Sequence, residues 1–426
     1  MIQHIKISIV LLLISILPSV VFSQAFKVST VDQLQSVLAS SADYDTIFLD
    51  TGIYPTHILI DKPITLTSAG DATIDAQGTG NAITVTSNDV TISNLIIKNY
   101  GDDLTESDSG IKVTKTENIT ITKNQLIGDG FGIYIDTTNN ALISHNSVTG
   151  NPNMRSSDRG NGIHLTSAQS AIVEHNEIIY TRDGLYIINS QNSKLLNNKM
   201  TDLRFGVHYM YSYNNEVSNN IAEDVDVGYA LMSSKYLTIN SNRASRCEDY
   251  GLLLNFVNYS TFTSNMIDQV NATTGTDTMG DEGKALFVYN STNNKIIGNQ
   301  FSNSQLGIHL TAGSEGNELY RNNFINNEIQ VKYVSSREQE WSFEQQGNYW
   351  SNYIGWDLDQ NGIGDTSFEP NDGVDKLIWK YPEAKVLMDS PAVLLLRWVQ
   401  RSFPVLKSPG VKDSYPVFHP IGAQVQ

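Results

Sequence analysis

Two methionines and one histidine have the residue types and the spacing of a copper(I) site. Met210 and Met232 are 22 residues apart, and His208 precedes Met210 by two positions. Thioether and imidazole groups suit Cu(I), and side chains of this length reach an ion at the roughly 2.0 to 2.3 Å of protein metal bonds. The alternative interpretation is an apolar contact patch for a partner, because methionine also lines adaptable binding surfaces. Both interpretations require a fold that places positions 22 residues apart side by side.

A second group of polar side chains lies in the segment 357–365. Asp357, Asp359, Asn361 and Asp365 supply oxygens at alternating positions around a glycine, as a calcium loop does. The twelfth position is Phe368, where an EF-hand carries Glu. The segment is therefore interpreted either as a structural calcium loop or as a metal-free turn rich in Asp and Asn.

A sequence repeat provides the elements that position the first group. A phrase of Gly, apolar, variable and apolar residues recurs nine times, and five of its eight intervals are 22 residues, one is 23, and the others are 30 and 34. A ladder of Asn residues shares the first seven of these intervals, insertions included. The phrase begins at Gly110, Gly132, Gly162, Gly184, Gly206, Gly228, Gly251, Ala285 and Gly307, and the ladder is Asn124, Asn146, Asn176, Asn198, Asn220, Asn242, Asn265, Asn299 and Asn322.

Each unit of the repeat is too short to hold a helix and a strand, and it alternates apolar and polar residues over four or five positions. Such a unit is one coil of a parallel β-helix, whose apolar interior forms only when coils stack. The sequence therefore predicts an all-β, right-handed parallel β-helix of about 22 residues per coil over residues 24–340. Alternating segments between residues 46 and 97 predict less regular coils upstream. The two insertions, at 151–161 and 271–284, are predicted to be loops leaving one edge.

When coils stack, residues at equal offsets from successive glycines lie next to one another on neighbouring coils. The first and third residues after each Gly are nearly all aliphatic and should face the interior, so the second and fourth should face outward. Met210 and Met232 should then lie one coil apart, about 4.8 Å, with His208 on the same face. His164 should lie two coils from His208, about 9.6 Å away, too far for both to reach one ion easily.

Two further residue types have structural interpretations. Asn tolerates left-handed backbone geometry and its stacked amides bond to one another, so the Asn ladder is interpreted as a turn device. Cys247 aligns with Val225 and Leu203 and is expected to be a buried small hydrophobe, with a redox or sulfur-handling role as the alternative.

Composition excludes several classes of function. The chain has 45 acidic and 28 basic residues, a formal charge of -17, and no basic run of the kind that binds nucleic acid. Its single cysteine excludes a disulfide framework and a Cys-cluster metal site. Residues 1–23 predict a cleaved secretory signal, because Lys6 is followed by an apolar stretch shorter than the ~20 residues of a spanning helix. We therefore expect a periplasmic protein.

A sugar-cleaving β-helix needs carboxylates gathered on one outward strip. The outward columns contain one acid, Asp136, and Arg182 and Arg204 share an offset without an aligned acid pair. Four other acids lie at differing offsets and are interpreted as turn residues: Asp129, Asp183, Asp226 and Asp249. We therefore expect no enzymatic activity. A polysaccharide lyase, an epimerase or a carbohydrate-binding solenoid is the alternative, and a structural surface solenoid is a third.

The last part of the chain, residues 341–426, is predicted to be a cap and a tail. All five tryptophans lie in these 86 residues. Ser390 and Pro391 have the residue types of an N-cap and a first helical residue, so they predict the start of a helix. The residues of that helix are apolar around most of its circumference, apart from Arg397 and Arg401.

The coils and this tail together resemble the NosD family, the periplasmic maturation proteins of nitrous oxide reductase. The repeat alone is unspecific, and the tail motifs carry the resemblance. These are Gly347-Asn-Tyr-Trp-Ser-Asn-Tyr, Asp357-Leu-Asp-Gln-Asn-Gly-Ile-Gly-Asp365, Glu369-Pro-Asn-Asp, Lys376-Leu-Ile-Trp-Lys-Tyr-Pro, Ala392-Val-Leu-Leu-Leu-Arg-Trp-Val-Gln, Pro404-Val-Leu and Asp413-Ser-Tyr-Pro.

The resemblance implies a non-enzymatic accessory that acts with an ABC transporter, an ATPase plus a permease, in building the copper-sulfide site of nitrous oxide reductase. Copper would arrive through a membrane-anchored copper chaperone. The apolar tail helix would then dock to the permease or lie on the membrane surface, and the alternative is that it caps the open end of the β-helix. His208, Met210 and Met232 become candidates for transient copper(I) acceptance.

Overall fold

The computed structural model describes residues 23–272, 282–311, 313–333, 335, 337–387, 390–402 and 409–422. The chain forms an all-β parallel solenoid of about 14 turns with 9% helix, which confirms the predicted fold class. The predicted signal segment, apart from Ser23, and residues 273–281 of the second insertion lie outside the described residues.

Most strands are three to six residues long and pair in parallel with the strands one coil before and after. The strands, numbered β1 to β35 in this order, are Ala25–Val28, Thr46–Leu49, Gly52–Pro55, Ile58–Ile60, Thr65–Asp75, Ile83–Val85, Thr91–Lys98, Ser109–Thr114, Thr120–Thr122, Gln125–Ile127, Phe131–Asp136, Leu142–Ser144, Ser147–Thr149, Ile163–Thr166, Ile172–Glu174, Glu177–Ile179, Asp183–Ile188, Lys194–Leu196, Lys199–Met210, Glu216–Ser218, Ile221–Met232, Thr238–Asn240, Arg243–Asn255, Thr261–Thr263, Met266–Val270, Lys284–Tyr289, Lys295–Ile297, Gln300–Ser302, Leu306–Leu310, Glu318–Tyr320, Asn323–Ile325, Ile329–Tyr333, Gln339–Glu340, Tyr349–Trp350 and Val411–Lys412. The upstream coils predicted between residues 46 and 97 are therefore present.

The described part of the chain has three α-helices and two 3₁₀-helices. The α-helices are α1 at Val31–Ser40, α2 at Gly373–Lys380 and α3 at Pro391–Ser402, and the 3₁₀-helices are Ser156–Asp158 and Pro382–Leu387. α3 begins at the predicted residue, and the Ser390 hydroxyl accepts a hydrogen bond from the backbone N–H of Val393 at 3.3 Å.

The predicted inward and outward alternation is confirmed along the central strands. In β17, for example, Leu185 and Ile187 are buried in the core, whereas Tyr186 and Ile188 point outward and are half-buried. The first and third positions after each Gly join one continuous apolar core.

The glycines that mark the repeat allow close packing between rungs, where a rung is the set of strands in one coil. A Cβ built on Gly206 would lie 2.6 Å from the carbonyl oxygen of Gly228 and 2.7 Å from Ala222 Cβ. Because real Cβ atoms do not approach backbone so closely, a side chain at this position would separate the rungs.

The Asn ladder bonds from rung to rung, as predicted. Asn198, for example, donates its backbone N–H and its side-chain amide to Asn220 Oδ1, each at 2.9 Å. The predicted left-handed backbone is wrong for the ladder itself, because the positive φ belongs to the residue before it, as in Asn197 and Asn219. The ladder side chains point into the solenoid, and a buried amide that satisfies several backbone groups stabilises each corner.

Different elements cover the two ends of the solenoid. Helix α1, which the repeat did not predict, buries Leu34 at the first rungs. At the other end Trp341 and Trp350 are buried, and Trp350 stacks on Phe324 at a ring distance of 4.3 Å. Asp413 accepts hydrogen bonds from Asn348 N and Trp350 Nε1 at 2.7 and 2.8 Å, so the predicted cap is held by the final segment of the chain.

The interpretation of α3 as the cap of the solenoid is wrong. Leu394, Leu395, Leu396 and Trp398 are each more than half exposed, whereas a capping helix would bury such side chains. Its Arg397 instead bonds to Asp372 and Asp375, which lie at the start of α2. Across the described residues we find no helix with both the length and the hydropathy to span a bilayer.

Candidate metal centre

The structure brings Met210 and Met232 onto neighbouring rungs. They are direct register partners in the parallel pairing of β19 with β21. His208 lies two residues before Met210 in β19, and its own register partner is Ala230. The predicted outward column is thus correct in order, and His164 pairs with Tyr186, which pairs with His208, so His164 is two rungs away.

The His208 side chain is nevertheless almost completely shielded from solvent. His208 is only 7% exposed, and its Nδ1 lies 2.9 Å from Asp183 Oδ2. Because an ionised carboxylate only accepts, Nδ1 donates in this bond, and in the neutral imidazole the lone pair then belongs to Nε2. Within the described part of the chain this buried Nε2 has no hydrogen-bond partner. An imidazole oriented by a carboxylate with its other nitrogen free is the arrangement found in metal-ligating histidines.

Asp183 also forms an ion pair with the neighbouring rung. Arg204 Nε and Nη2 donate to its two carboxylate oxygens at 2.8 and 2.7 Å. Burial alone would raise the pKa of Asp183, but the hydrogen bonds from His208 and Arg204 hold that pKa below its ordinary value. The carboxylate therefore stays charged and fixes the imidazole tautomer.

The interpretation of Asp183 as a turn residue was wrong, because Asp183 begins strand β17 and is buried. The sequence also did not indicate that Arg204 forms an ion pair with Asp183. Equal offsets from Gly identify only residues that lie in one column of the solenoid. Because Asp183 precedes its Gly by one residue and Arg204 precedes its Gly by two, only the three-dimensional pairing of the two side chains links them.

Met210 is oriented by its own neighbour. Tyr186 Oη donates to Met210 Sδ at 3.2 Å, and the Tyr186 ring meets the His208 ring edge-on at 4.7 Å. The Phe205 ring also meets the His208 ring edge-on, with centroids 5.0 Å apart. Met210, Met232 and His208 therefore lie on one outward face of two neighbouring rungs.

An observation favouring the apolar-patch alternative lies beside this site. Met232 packs against a second hydrophobic cluster, outside the solenoid core, that consists of Val227, Ala230 and Leu253. Phe205, Tyr250 and Phe287 cover the same cluster. Met232 is thus continuous with apolar surface, as the apolar-patch alternative requires.

Carboxylates also gather on the solenoid, in a cleft of about 760 Å³. Burial and the charges of Glu248 and Asp249 raise the pKa of Asp226 to about 6. Asp226 and Asp249 belong to strands β21 and β23, so their interpretation as turn residues was wrong. The cleft is lined by Asp202, Asp224, Val225, Asp226, Arg246, Cys247, Glu248, Gln269, Asn271 and Asn303.

Cys247 is buried and is the register partner of Val225, as its alignment predicted. Burial raises the pKa of its thiol to about 12, so the thiolate needed for metal binding or redox chemistry is not formed near neutral pH.

In the segment 357–365 the acidic oxygens bond to their own loop. Asp357 accepts from the N–H groups of Asn361 and Gly362 at 3.1 and 2.8 Å, and Asp365 accepts from Leu358 N at 2.7 Å. Asp359 accepts from Asn361 Nδ2 at 2.9 Å. The assignment of a calcium ion to this loop stays a prediction.

The described residues contain no group of three or more His, Cys, Asp or Glu side chains that converge on one point. The predicted set of His208, Met210 and Met232 contains only one residue of these four types.

Comparisons with known proteins identify the family to which this chain belongs. The model of the family described as periplasmic copper-binding protein (NosD) matches residues 40–155 and 144–355. A protein of Pseudomonas aeruginosa named a probable ABC transporter binding protein NosD is 54% identical over 372 residues, which cover 87% of each chain. A protein of the same name from Stutzerimonas stutzeri is 52% identical over 87% of this chain and 86% of its own length.

Solved structures show the fold alone. The family 28 exopolygalacturonase of Yersinia enterocolitica superposes with a TM-score of 0.58 at 10% identity, covering 74% of this chain and 76% of its own. Identity this low does not transfer an activity.

Proposed function

This chain belongs to the NosD family, described as periplasmic copper-binding proteins, and on that premise we propose that it accepts a copper(I) ion at His208, Met210 and Met232. In this proposal it acts as a periplasmic accessory of an ABC transporter, both permease and ATPase, in the maturation of nitrous oxide reductase. A copper chaperone delivers the ion, and the ion is cargo rather than a resident cofactor.

One observation carries the proposal, namely the buried and unpartnered Nε2 of His208 on the same face as two neighbouring thioethers. An orphaned buried nitrogen costs about 1–3 kcal/mol, so a site that keeps one is explained if a ligand occupies it part of the time. Soft sulfur donors with one imidazole favour Cu(I) over Zn²⁺ or Ca²⁺. A site with few ligands also suits release to a partner.

The transporter partner is supported by the names of the relatives and by the exposed helix α3. Its leucines and Trp398 form an apolar surface next to the solenoid end, of the kind that docks to a membrane protein or to the membrane surface. We expect the mature chain to copurify with a permease and its ATPase from detergent-solubilised membranes. Purification without either subunit would count against this role.

The copper site has a direct test, an anaerobic Cu(I) titration of the wild type and of the double variant Met210→Leu and Met232→Leu. Leucine keeps the apolar packing beside Val227 and removes both sulfurs. We expect the wild type to bind one ion and the double variant to bind it at least about tenfold more weakly. Equal affinity in both would favour the apolar-patch alternative.

A carbohydrate-active enzyme is the second candidate, favoured by the acidic cleft. Glycoside hydrolysis needs two carboxyl groups, one with a raised pKa to act as the acid, and Asp226 has such a pKa. Incubation with anionic and neutral polysaccharides distinguishes the two functions. Depolymerisation or epimerisation that Asp226→Asn abolishes would establish the enzyme, and we expect none.

A further inference from the structure

Two histidines on consecutive rungs, His145 and His175, lie outside the candidate copper(I) site. The rings of His145 and His175 stack with centroids 5.0 Å apart and planes inclined by 22°. Both side chains are exposed, in contrast to His208. They occupy the same corner of successive coils, since each directly precedes a residue of the Asn ladder, Asn146 or Asn176.

The backbone holds the pair rigidly in place. His145 and His175 have φ of 57° and 54°, and Lys123 and Asn197 have the same left-handed backbone one rung away on either side. Non-Gly residues seldom adopt this conformation, and here the paired strands on both sides of the corner enforce it. Two imidazoles are thus presented side by side without any loop that must first become ordered.

From this geometry we infer that His145 and His175 form a second metal site, one for a divalent transition ion, with Cu²⁺ the tightest and Zn²⁺ weaker. Imidazole is a common ligand for both ions. A site of this kind binds Cu²⁺ with higher affinity than Zn²⁺. In the tetragonal geometry that Cu²⁺ prefers, two cis nitrogens about 2.0 Å from the ion lie roughly 2.8 Å apart, and in a tetrahedral Zn²⁺ site they lie roughly 3.3 Å apart. Ion binding would require rotation of the rings about χ2, which is a soft torsion.

This site differs in chemistry from the one at His208. It has no thioether and it is open to water, so water or a group from a docking partner completes the coordination. No third His, Cys, Asp or Glu converges on it within the described residues. It therefore favours the oxidised, harder ion, whereas the methionine site favours Cu(I).

The test is an aerobic Cu²⁺ titration of the tag-free mature chain, followed by calorimetry and by electron paramagnetic resonance. The variants are His145→Asn, His175→Asn and the double variant, since Asn197 shows that Asn accepts this backbone in the same column. His57→Asn is the matched control, because His57 is an exposed histidine whose Nδ1 bonds to the carbonyl of Asn81.

We expect the wild type to bind one Cu²⁺ with two nitrogen ligands in the resonance spectrum. Each single variant should weaken binding at least about thirtyfold, and His57→Asn should leave it unchanged. Unaltered affinity in both single variants, with circular dichroism showing folded protein, would overturn the inference. Loss of the Cu²⁺ signal in the double variant Met210→Leu and Met232→Leu would also overturn the inference. The signal would then belong to the candidate site at His208.

Discussion

Asp183 Oδ2 and His208 Nδ1 are 2.9 Å apart although 25 residues separate them in the chain. The bond runs between adjacent rungs, and His208 Nε2 is buried with no hydrogen-bond partner among the described residues. Hydrogen bonds from Arg204 help to keep the carboxylate charged. This arrangement makes Asp183 the positioning residue of the proposed copper(I) site.

Replacing Asp183 by Asn should affect both stability and copper binding. A neutral amide at this position cannot neutralise Arg204, so we expect the free energy of unfolding to fall by about 3 kcal/mol. The imidazole loses its charged partner, and we expect Cu(I) affinity to fall roughly 10- to 100-fold. Chemical denaturation and an anaerobic Cu(I) titration measure the two effects.

Asp224→Asn is the matched control for that variant. Asp224 pairs with Arg246 through the same two-bond geometry, at 2.7 and 2.8 Å, but both side chains are nearly half exposed. Exposed ion pairs contribute only about 0–1 kcal/mol, so this variant should be almost neutral in stability and in copper affinity. Equal losses in the two variants would contradict the positioning role of Asp183.

Removing one side-chain amide of the Asn ladder should destabilise the solenoid strongly. Asn220→Ala removes the acceptor of two donors of Asn198 and the donor to the carbonyl of Leu195, all of them buried. We expect a loss of about 3 kcal/mol in guanidinium unfolding, because buried groups are left unpaired. Asn219→Gly is the control, since Asn219 is exposed and glycine adopts its φ of 57° readily. An equally large loss of unfolding free energy in this control would show that the turn, and not the ladder amide, is responsible for the destabilisation.

His309 should make the folded protein sensitive to acid. Burial lowers the pKa of His309 to about 4, helped by the charges of Lys332 and Lys284 and opposed by Glu282. The unfolded chain binds the proton near pH 6.5, so it holds more protons than the folded chain between pH 6.5 and 4. Stability should therefore fall as the pH is lowered through that window.

His309→Phe tests that dependence. The Nδ1 of His309 has no hydrogen bond within the described residues, and its ring already packs on Phe287 at 5.0 Å. Between pH 7 and pH 5 the variant should gain about 2 kcal/mol on the wild type, measured by denaturation at each pH. His57→Phe, at an exposed histidine, should show no such gain. Parallel pH curves for wild type and His309→Phe would contradict the prediction.

The exposed face of α3 should matter for partner binding and not for folding. Leu395→Ser with Trp398→Ser removes two side chains that are 60% exposed, so the thermal midpoint should change by no more than about 2 °C. We expect recovery of the permease in copurification to fall at least about tenfold. Leu59→Ser, at a leucine of similar exposure on the first coils, is the control and should retain the permease.

The segment 357–365 allows a direct test of calcium. If the loop holds the ion, millimolar Ca²⁺ raises the thermal midpoint relative to a chelator, and Asp359→Asn removes that increase. Asp61→Asn, at an exposed acid elsewhere, should keep it. No increase in the wild type would establish the metal-free turn, in which Asp357 and Asp365 serve only the N–H groups of their own loop.

The sequence by itself determined the solenoid and the stacking order. Equal offsets from Gly206 and Gly228 became register partners, so Met210 and Met232 were adjacent as predicted. A repeat of constant length permits this inference, because each coil contacts only its neighbours and the local period fixes the long-range contacts. The start of α3 at Pro391 was likewise readable from its capping residues.

Tertiary structure alone decided which outward side chains meet. Asp183, Arg204 and His208 lie at different offsets, and side-chain length and rotamer brought them together across rungs, which no offset records. It also decided that α3 leaves its leucines exposed and that Asp226 lies in an acidic cleft. Periodicity specifies the backbone of a solenoid, whereas burial, charge pairing and hydrogen bonding are properties of the folded surface and depend on all neighbours at once.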